Sequence, residues 1–224
     1  MRIFRYGCGL CLLAAVFGLL ALTPAGAADE VRITPSLRYV ELKINGQTIA
    51  IERNQDQEAR LTGDFTKTSR ACPPFCIHPM EAAPGVETVG ELELIDFLQD
   101  RVEIGRGLLV DARVPSWFEK AAIPGAVNIP FTVLEEKNNP YLDKILAALG
   151  AREIVADVWD FTDAMELVLY CNGPWCDQSP RAIRNLISVG YPAEKLFYYR
   201  GGMQNWLLMG LSTVPGGQKA VASQ

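Results

Sequence analysis

One histidine, His78, is all that the 224 residues contain, and that scarcity narrows the available chemistry. A Cys–His nucleophile pair has a single candidate base. Cys72, Cys76 and His78 are of types that suit zinc, but they find no fourth ligand in sequence. Basic runs are missing too: 21 Lys and Arg stand against 26 Asp and Glu, a net charge of −5 at pH 7. Without a basic patch, neither nucleic acid nor an anionic membrane is an expected partner. There is no internal repeat and no extended low-complexity tract. The apolar stretch from Leu10 to Leu22 is short for a membrane span.

What stands around that stretch gives it another meaning. Arg2 and Arg5 precede it and Ala25-Gly26-Ala27 follows, the pattern of a secretory signal peptide over residues 1–27 with cleavage near Ala27. The mature chain is then expected to be periplasmic or secreted, with the Ala-rich cleavage site favouring a periplasm, and free of the membrane. Cys8 and Cys11 leave with the signal, so four of the six cysteines remain. Loss of Arg2 and Arg5 reduces the 21 basic residues to 19 against 26 acidic ones, a net charge near −7. A mature chain of this length supports one sizeable core.

Residues 28–86 read as an N-terminal extension. Val40, Leu42 and Ile44 alternate with polar residues, Asn45-Gly46 supplies a two-residue turn, and Ile49 and Ile51 resume the alternation. This predicts a β-hairpin pairing Leu42 with Ile49 and Val40 with Ile51. Its apolar side must pack on the main domain or on a partner, because an isolated hairpin is marginal. From Asn54 to Pro84 the chain is polar and turn-rich, an irregular connector. It carries Cys72 and Cys76, which in an exported chain most simply form a disulfide, although four cysteines allow three full connectivities.

From residue 87 the pattern becomes α/β. Thr88 with Glu91 resembles a capping box, after which Leu92, Ile95 and Leu98 mark one helical face. Leu108 to Val110 reads as a buried strand. Asn139-Pro140 opens a helix with a Leu142, Ile145, Leu146 and Leu149 stripe closed by Gly150. Leu167 to Tyr170 is a strand, Ser179 to Val189 a helix with Ser179 as N-cap and Pro180 in its first turn, Leu196 to Tyr199 a last strand and Gly202 to Leu208 a last helix. Such alternation predicts a parallel sheet flanked by helices. Pro215 to Gln224, rich in Gly, Ala and Ser, reads as a disordered tail.

Cys171 stands where the Leu167–Tyr170 strand gives way to Asn172, Gly173, Pro174, Trp175, Cys176, Asp177, Gln178 and Ser179. A thiol at the carboxyl end of a parallel strand, facing the start of a helix, meets unpaired N–H groups that favour its ionised form. The alternative is a buried small hydrophobe.

Leu108-Leu109-Val110-Asp111-Ala112-Arg113, Ile123-Pro124-Gly125-Ala126-Val127-Asn128-Ile129-Pro130, Tyr170-Cys171, Gly190-Tyr191 and Gly202-Met203-Gln204-Asn205-Trp206 follow one another in an order that resembles the rhodanese-like family of sulfurtransferases over about residues 87–214. The resemblance implies a catalytic cysteine at Cys171, a sulfur-binding loop at residues 172–179, and no metal or organic cofactor. It further implies that the thiolate takes sulfur from a small donor anion or polysulfide, becomes a persulfide and passes the sulfur to an acceptor thiol, which a protein can supply. Asp111 and Arg113 match a family position below the loop, implying a supporting ion pair.

The chain departs from the family pattern at this loop. It is two residues longer, Gln178 stands where the family commonly has an oxyanion-clamping Arg, Asp177 adds negative charge, and Ala122 replaces a familiar His. A phosphatase-like reading would need the missing arginine. Two further readings stay open: a thiol–disulfide redox protein in which Cys176 resolves Cys171, and a catalytically silent binding module whose contact surface includes the hairpin and Trp175.

Overall fold

The computed structural model describes residues 30–71, 76–77, 80–135, 139–156 and 158–216. The described residues from Val31 onward form one compact unit. The expected signal peptide lies outside the described residues, as do Cys72 and His78. Among the described residues no helix is long and apolar enough to cross a membrane.

Among the described residues, nine strands form three sheets. The hairpin strands are β1, Tyr39–Ile44, and β2, Gln47–Glu52. The central sheet contains β3 (Glu87–Val89), β4 (Gly107–Asp111), β5 (Ala126–Asn128), β8 (Glu166–Tyr170) and β9 (Leu196–Tyr199), in the order β3-β9-β8-β4-β5, with every pairing parallel. A second hairpin, β6 (Arg152–Val155) and β7 (Val158–Asp160), stands apart from it. The helices are α1 (Glu91–Phe97), α2 (Pro115–Phe118), α3 (Leu142–Ala148), α4 (Gln178–Ser188) and α5 (Gly202–Leu208).

Both faces of the central sheet are covered, which is why its strands read as continuous apolar runs rather than alternations. In β8, Leu167 and Leu169 face a core with Leu142 and Leu146 of α3 and Ala182, Ile183 and Leu186 of α4. Val168 and Tyr170 face the opposite core, with Leu94, Ile95 and Leu98 around α1 and Met203 and Trp206 of α5. Each fully buried side chain of this size contributes roughly 1.5–3 kcal/mol. Burial on two sides therefore makes β8, which delivers Cys171, a rigid platform.

The N-terminal hairpin has the expected register, Val40 opposite Ile51 and Leu42 opposite Ile49. Asn45 and Gly46 both take positive φ, 52° and 77°, as a type I′ turn requires. Val40, Leu42 and Ile51 are buried in the same core as Val168 and Tyr170. The main domain, rather than a partner, thus covers the hairpin's apolar side.

Three local expectations need correction. Thr88 lies in β3, where its hydroxyl donates to the Met80 carbonyl, and α1 is capped two residues later: Glu93 accepts from the Gly90 N–H at 3.1 Å. With that shift Leu94, Ile95 and Phe97 turn inward and Leu92 is exposed. The helix α4 begins at Gln178, not after Ser179, because the Ser179 hydroxyl is engaged elsewhere and does not cap. The expected tail is held at its start, since the Gly216 N–H donates to the Phe118 carbonyl and Val214 pairs with Ala122. Residues 217–224 lie outside the described residues.

Candidate active site

Cys171 follows the last residue of β8, and its loop is fixed from three sides. Above the sheet, α5 starts against it: the Met203 N–H donates to the Cys171 carbonyl and the Gln204 N–H to the Asn172 carbonyl, each at 3.0 Å. Gly202 makes this approach feasible. It sits at φ +55°, and a Cβ there would lie 2.4 Å from the Cys171 carbonyl oxygen, which explains why only glycine fits. The loop then turns back through a Cys176 N–H to Gly173 carbonyl bond of 3.0 Å and enters α4.

Below the loop lies a buried polar network. Arg113 grips Asp111 in a fork, with Nε 2.8 Å from Oδ1 and Nη2 2.5 Å from Oδ2. Tyr170 donates its hydroxyl to Asp111 Oδ2 at 2.7 Å. Arg113 Nη1 reaches up to Asn172 Oδ1 at 3.2 Å and Nη2 to the Ala121 carbonyl. Burial opposes the charge on Arg113, but its hydrogen bonds and attraction to Asp111 raise its pKa. The charged guanidinium is therefore a fixed strut that holds Asn172, the first residue after the cysteine. It touches no reacting atom.

At the centre are two thiols. Cys171 is 1% exposed and Cys176 6%, and both are free. The Ser179 hydroxyl donates to Cys171 Sγ at 3.1 Å. Burial alone would push the Cys171 thiol up. Hydrogen bonds from the Cys176 side chain, the Ser179 hydroxyl and the Ser179 and Gly173 N–H groups outweigh it and bring the pKa from 9.0 down to about 7. Cys176 moves the other way, driven up first by its bond to Cys171 and then by burial, while the Asn172 and Gln178 N–H groups pull it down. When neutral, Cys171 donates to the Cys176 carbonyl, 3.4 Å away. When it ionises, that contact turns repulsive and the Cys176 S–H, the Ser179 hydroxyl and the backbone donors hold the charge. The loop is thus a cradle of N–H groups closed around two sulfur atoms.

The other loop residues form the wall. Trp175 packs down: its Nε1 donates to Gln204 Oε1 at 2.5 Å, and the Arg70 guanidinium lies 4.0 Å from its ring centroid. Sequence reasoning missed Arg70, which arrives from the extension, and Gln204, whose only signal was its place in the Gly202–Trp206 segment. Asp177 is paired with Arg184 at 3.1 Å, so its charge is partly offset. Gln178 presents a buried Oε1 that has no hydrogen-bond partner among the described residues. Pro174 is half-buried. Cys76 is disulfide-bonded, and its carbonyl accepts from Arg200 at 2.7 Å. Cys72, its expected partner, lies outside the described residues, as does His78, so neither the Cys72–Cys76–His78 ligand set nor the Cys171–His78 pair is placed.

A family model described as a rhodanese-like domain matches residues 94–209. The chain belongs to the rhodanese-like family. Among related proteins, an HTH-type transcriptional regulator of Mycobacterium tuberculosis is 32% identical over 111 residues, covering 50% of this chain and 39% of that protein. The rhodanese-like chain therefore spans well under half of that relative. Similar solved structures include a human single-domain sulfurtransferase, 27% identical over 55% of this chain and 96% of that one with a TM-score of 0.39. Another is an E. coli rhodanese with anions, 24% identical over 49% and 99% with a TM-score of 0.33.

Proposed function

We propose that this rhodanese-like protein is an exported sulfurtransferase that carries sulfane sulfur as a persulfide on Cys171 and passes it to a thiol acceptor. Family membership supports sulfurtransferase-type chemistry in general. The observation that carries the specific reading is the setting of Cys171: a thiol brought down to about 7 at the floor of a loop whose Ser179 hydroxyl and Gly173 and Ser179 N–H groups all face its sulfur. A thiolate is the nucleophile that attacks a sulfane sulfur. The same donors stabilise the negative terminal sulfur that follows. With thiosulfate as donor, the Cys171 thiolate bonds to the outer sulfur, the S–S bond of the donor breaks and sulfite leaves with the electron pair.

The wall of the loop argues about the donor. Gln178 stands where the family commonly carries a guanidinium, and a neutral amide there supplies no charge to hold an oxyanion. Polysulfides or protein persulfides, which carry less oxyanion character, suit this site better than thiosulfate. Export rests on the Arg2, Arg5, Leu10–Leu22 and Ala25–Ala27 pattern. Peptide mass spectrometry of the reduced mature protein after exposure to polysulfide tests the proposal. Cys171 is expected to gain one sulfur atom, and a Cys171 that stays unmodified at every donor concentration overturns it.

A further inference from the structure

We infer that Cys176 is a second reacting residue, which discharges the Cys171 persulfide internally and releases the outer sulfur as hydrosulfide. The inference rests on the persulfide reading of Cys171 and extends it to a dithiol reaction. Its basis is geometric. The turn closed by the Cys176 N–H to Gly173 carbonyl bond folds residue 176 back onto residue 171, so that the Cys171 sulfur lies 3.4 Å from the Cys176 carbonyl oxygen. Both thiols are buried and free, and the backbone donors divide between them, Gly173 and Ser179 facing one sulfur and Asn172 and Gln178 the other.

In the step itself, Cys176 Sγ bonds to Cys171 Sγ and the bond from Cys171 Sγ to the outer sulfur breaks. The outer sulfur leaves with the electron pair and takes the Cys176 proton. A persulfide anion and a thiol thus become a disulfide and HS⁻, and the sulfane sulfur is itself the two-electron oxidant. Each further turnover consumes one dithiol reductant, which is oxidised to its disulfide as the 171–176 bond reopens.

The arrangement is self-timed. While Cys171 is a thiolate, its charge holds the Cys176 proton in place and Cys176 is not a nucleophile. Once Cys171 has bonded to the incoming sulfur, the negative charge moves to the outer atom and the bond that restrained the Cys176 proton is lost. The Asn172 and Gln178 N–H groups are then left to stabilise the Cys176 thiolate as it attacks.

The test loads the reduced mature protein with one equivalent of polysulfide, removes excess donor and adds no acceptor thiol. Released sulfide and the state of both cysteines are then followed in the wild type and in Cys176→Ser and Cys176→Ala. The wild type is expected to release about one sulfide per chain and to close a 171–176 disulfide, while both variants keep the persulfide on Cys171. A persulfide that persists equally in all three chains, with no disulfide, overturns this inference and leaves the sulfur-carrier reading intact. Absence of persulfide from the variants and of both persulfide and disulfide from the wild type overturns the two together. Because the wild-type disulfide and sulfide are decisive alone, misfolding of a variant does not shelter the proposal.

Discussion

Cys171 sets the pH behaviour of the site. Its pKa of about 7 predicts that the rate of alkylation by iodoacetamide rises through a midpoint near pH 7, measured by mass spectrometry of the 171 peptide. Ser179→Ala removes the hydroxyl bond to the sulfur, and the midpoint should move upward toward that of an ordinary thiol. The same depression links to stability. A folded pKa below the unfolded one adds stability that is full above about pH 9 and is lost as pH falls through about 7, so the gap between the melting temperatures of wild type and Cys171→Ala should narrow as pH falls through that window, leaving only the packing loss at the buried site. Restoring a guanidinium tests the donor argument: Gln178→Arg should lower KM for thiosulfate several-fold, as steady-state sulfite release would show. The position of Cys171 was legible because an apolar run ends in a cysteine before a helix. The role of Ser179 was not, since a serine at a helix start reads as a cap, whereas its hydroxyl donates to sulfur. Nor can a sequence show that Arg70 lies over Trp175, because nothing local links a connector residue to a loop so far along the chain.

Elements hold these residues in place, and the Asp111–Arg113 fork joins β4 to the loop. Arg113→Leu would leave Asp111 buried without its ion-pair partner, which costs about 3–5 kcal/mol. Urea denaturation should show that loss, and the alkylation rate of Cys171 should change with it, because Asn172 loses its anchor at Arg113 Nη1. Replacing both partners together by apolar residues should cost less than the single change. The long, strongly patterned elements were readable: β9 and α5 fall on Leu196–Tyr199 and Gly202–Leu208, and the hairpin register follows from Asn45-Gly46. The elements that sequence reasoning missed have physical reasons. The strands β3 and β5 are three residues each, too short to carry a period, and exist because a parallel neighbour pairs with them. The β6 strand is exposed throughout, so burial imprinted no alternation on it.

At the scale of the molecule, the extension and the rhodanese-like domain share one core, and this joins the least explained part of the sequence to the site. Leu42 is fully buried beside the face of β8 that carries Val168 and Tyr170. Tyr170 in turn bonds Asp111 and immediately precedes Cys171. The far edge of the hairpin is clipped to the chain beyond α5: the Ser212 N–H donates to the Glu52 carbonyl at 2.9 Å, the Asn54 N–H to the Gly210 carbonyl at 2.6 Å, and Arg53 pairs with Leu211. A hairpin tethered this way is part of the domain's cooperative unit, since it covers surface that the domain would otherwise expose. Leu42→Ala should therefore cost about 2–5 kcal/mol and lower the stability of the whole domain in one transition, with tryptophan fluorescence and far-UV circular dichroism giving the same midpoint. Two separated transitions, or rapid proteolysis between residues 39 and 52 in the folded wild type, would instead mark the hairpin as an independent arm awaiting a partner. Coincident transitions would mean that the extension supports the floor of the Cys171 loop from the opposite side of the sheet to α4, and that truncating it for expression would weaken the site itself.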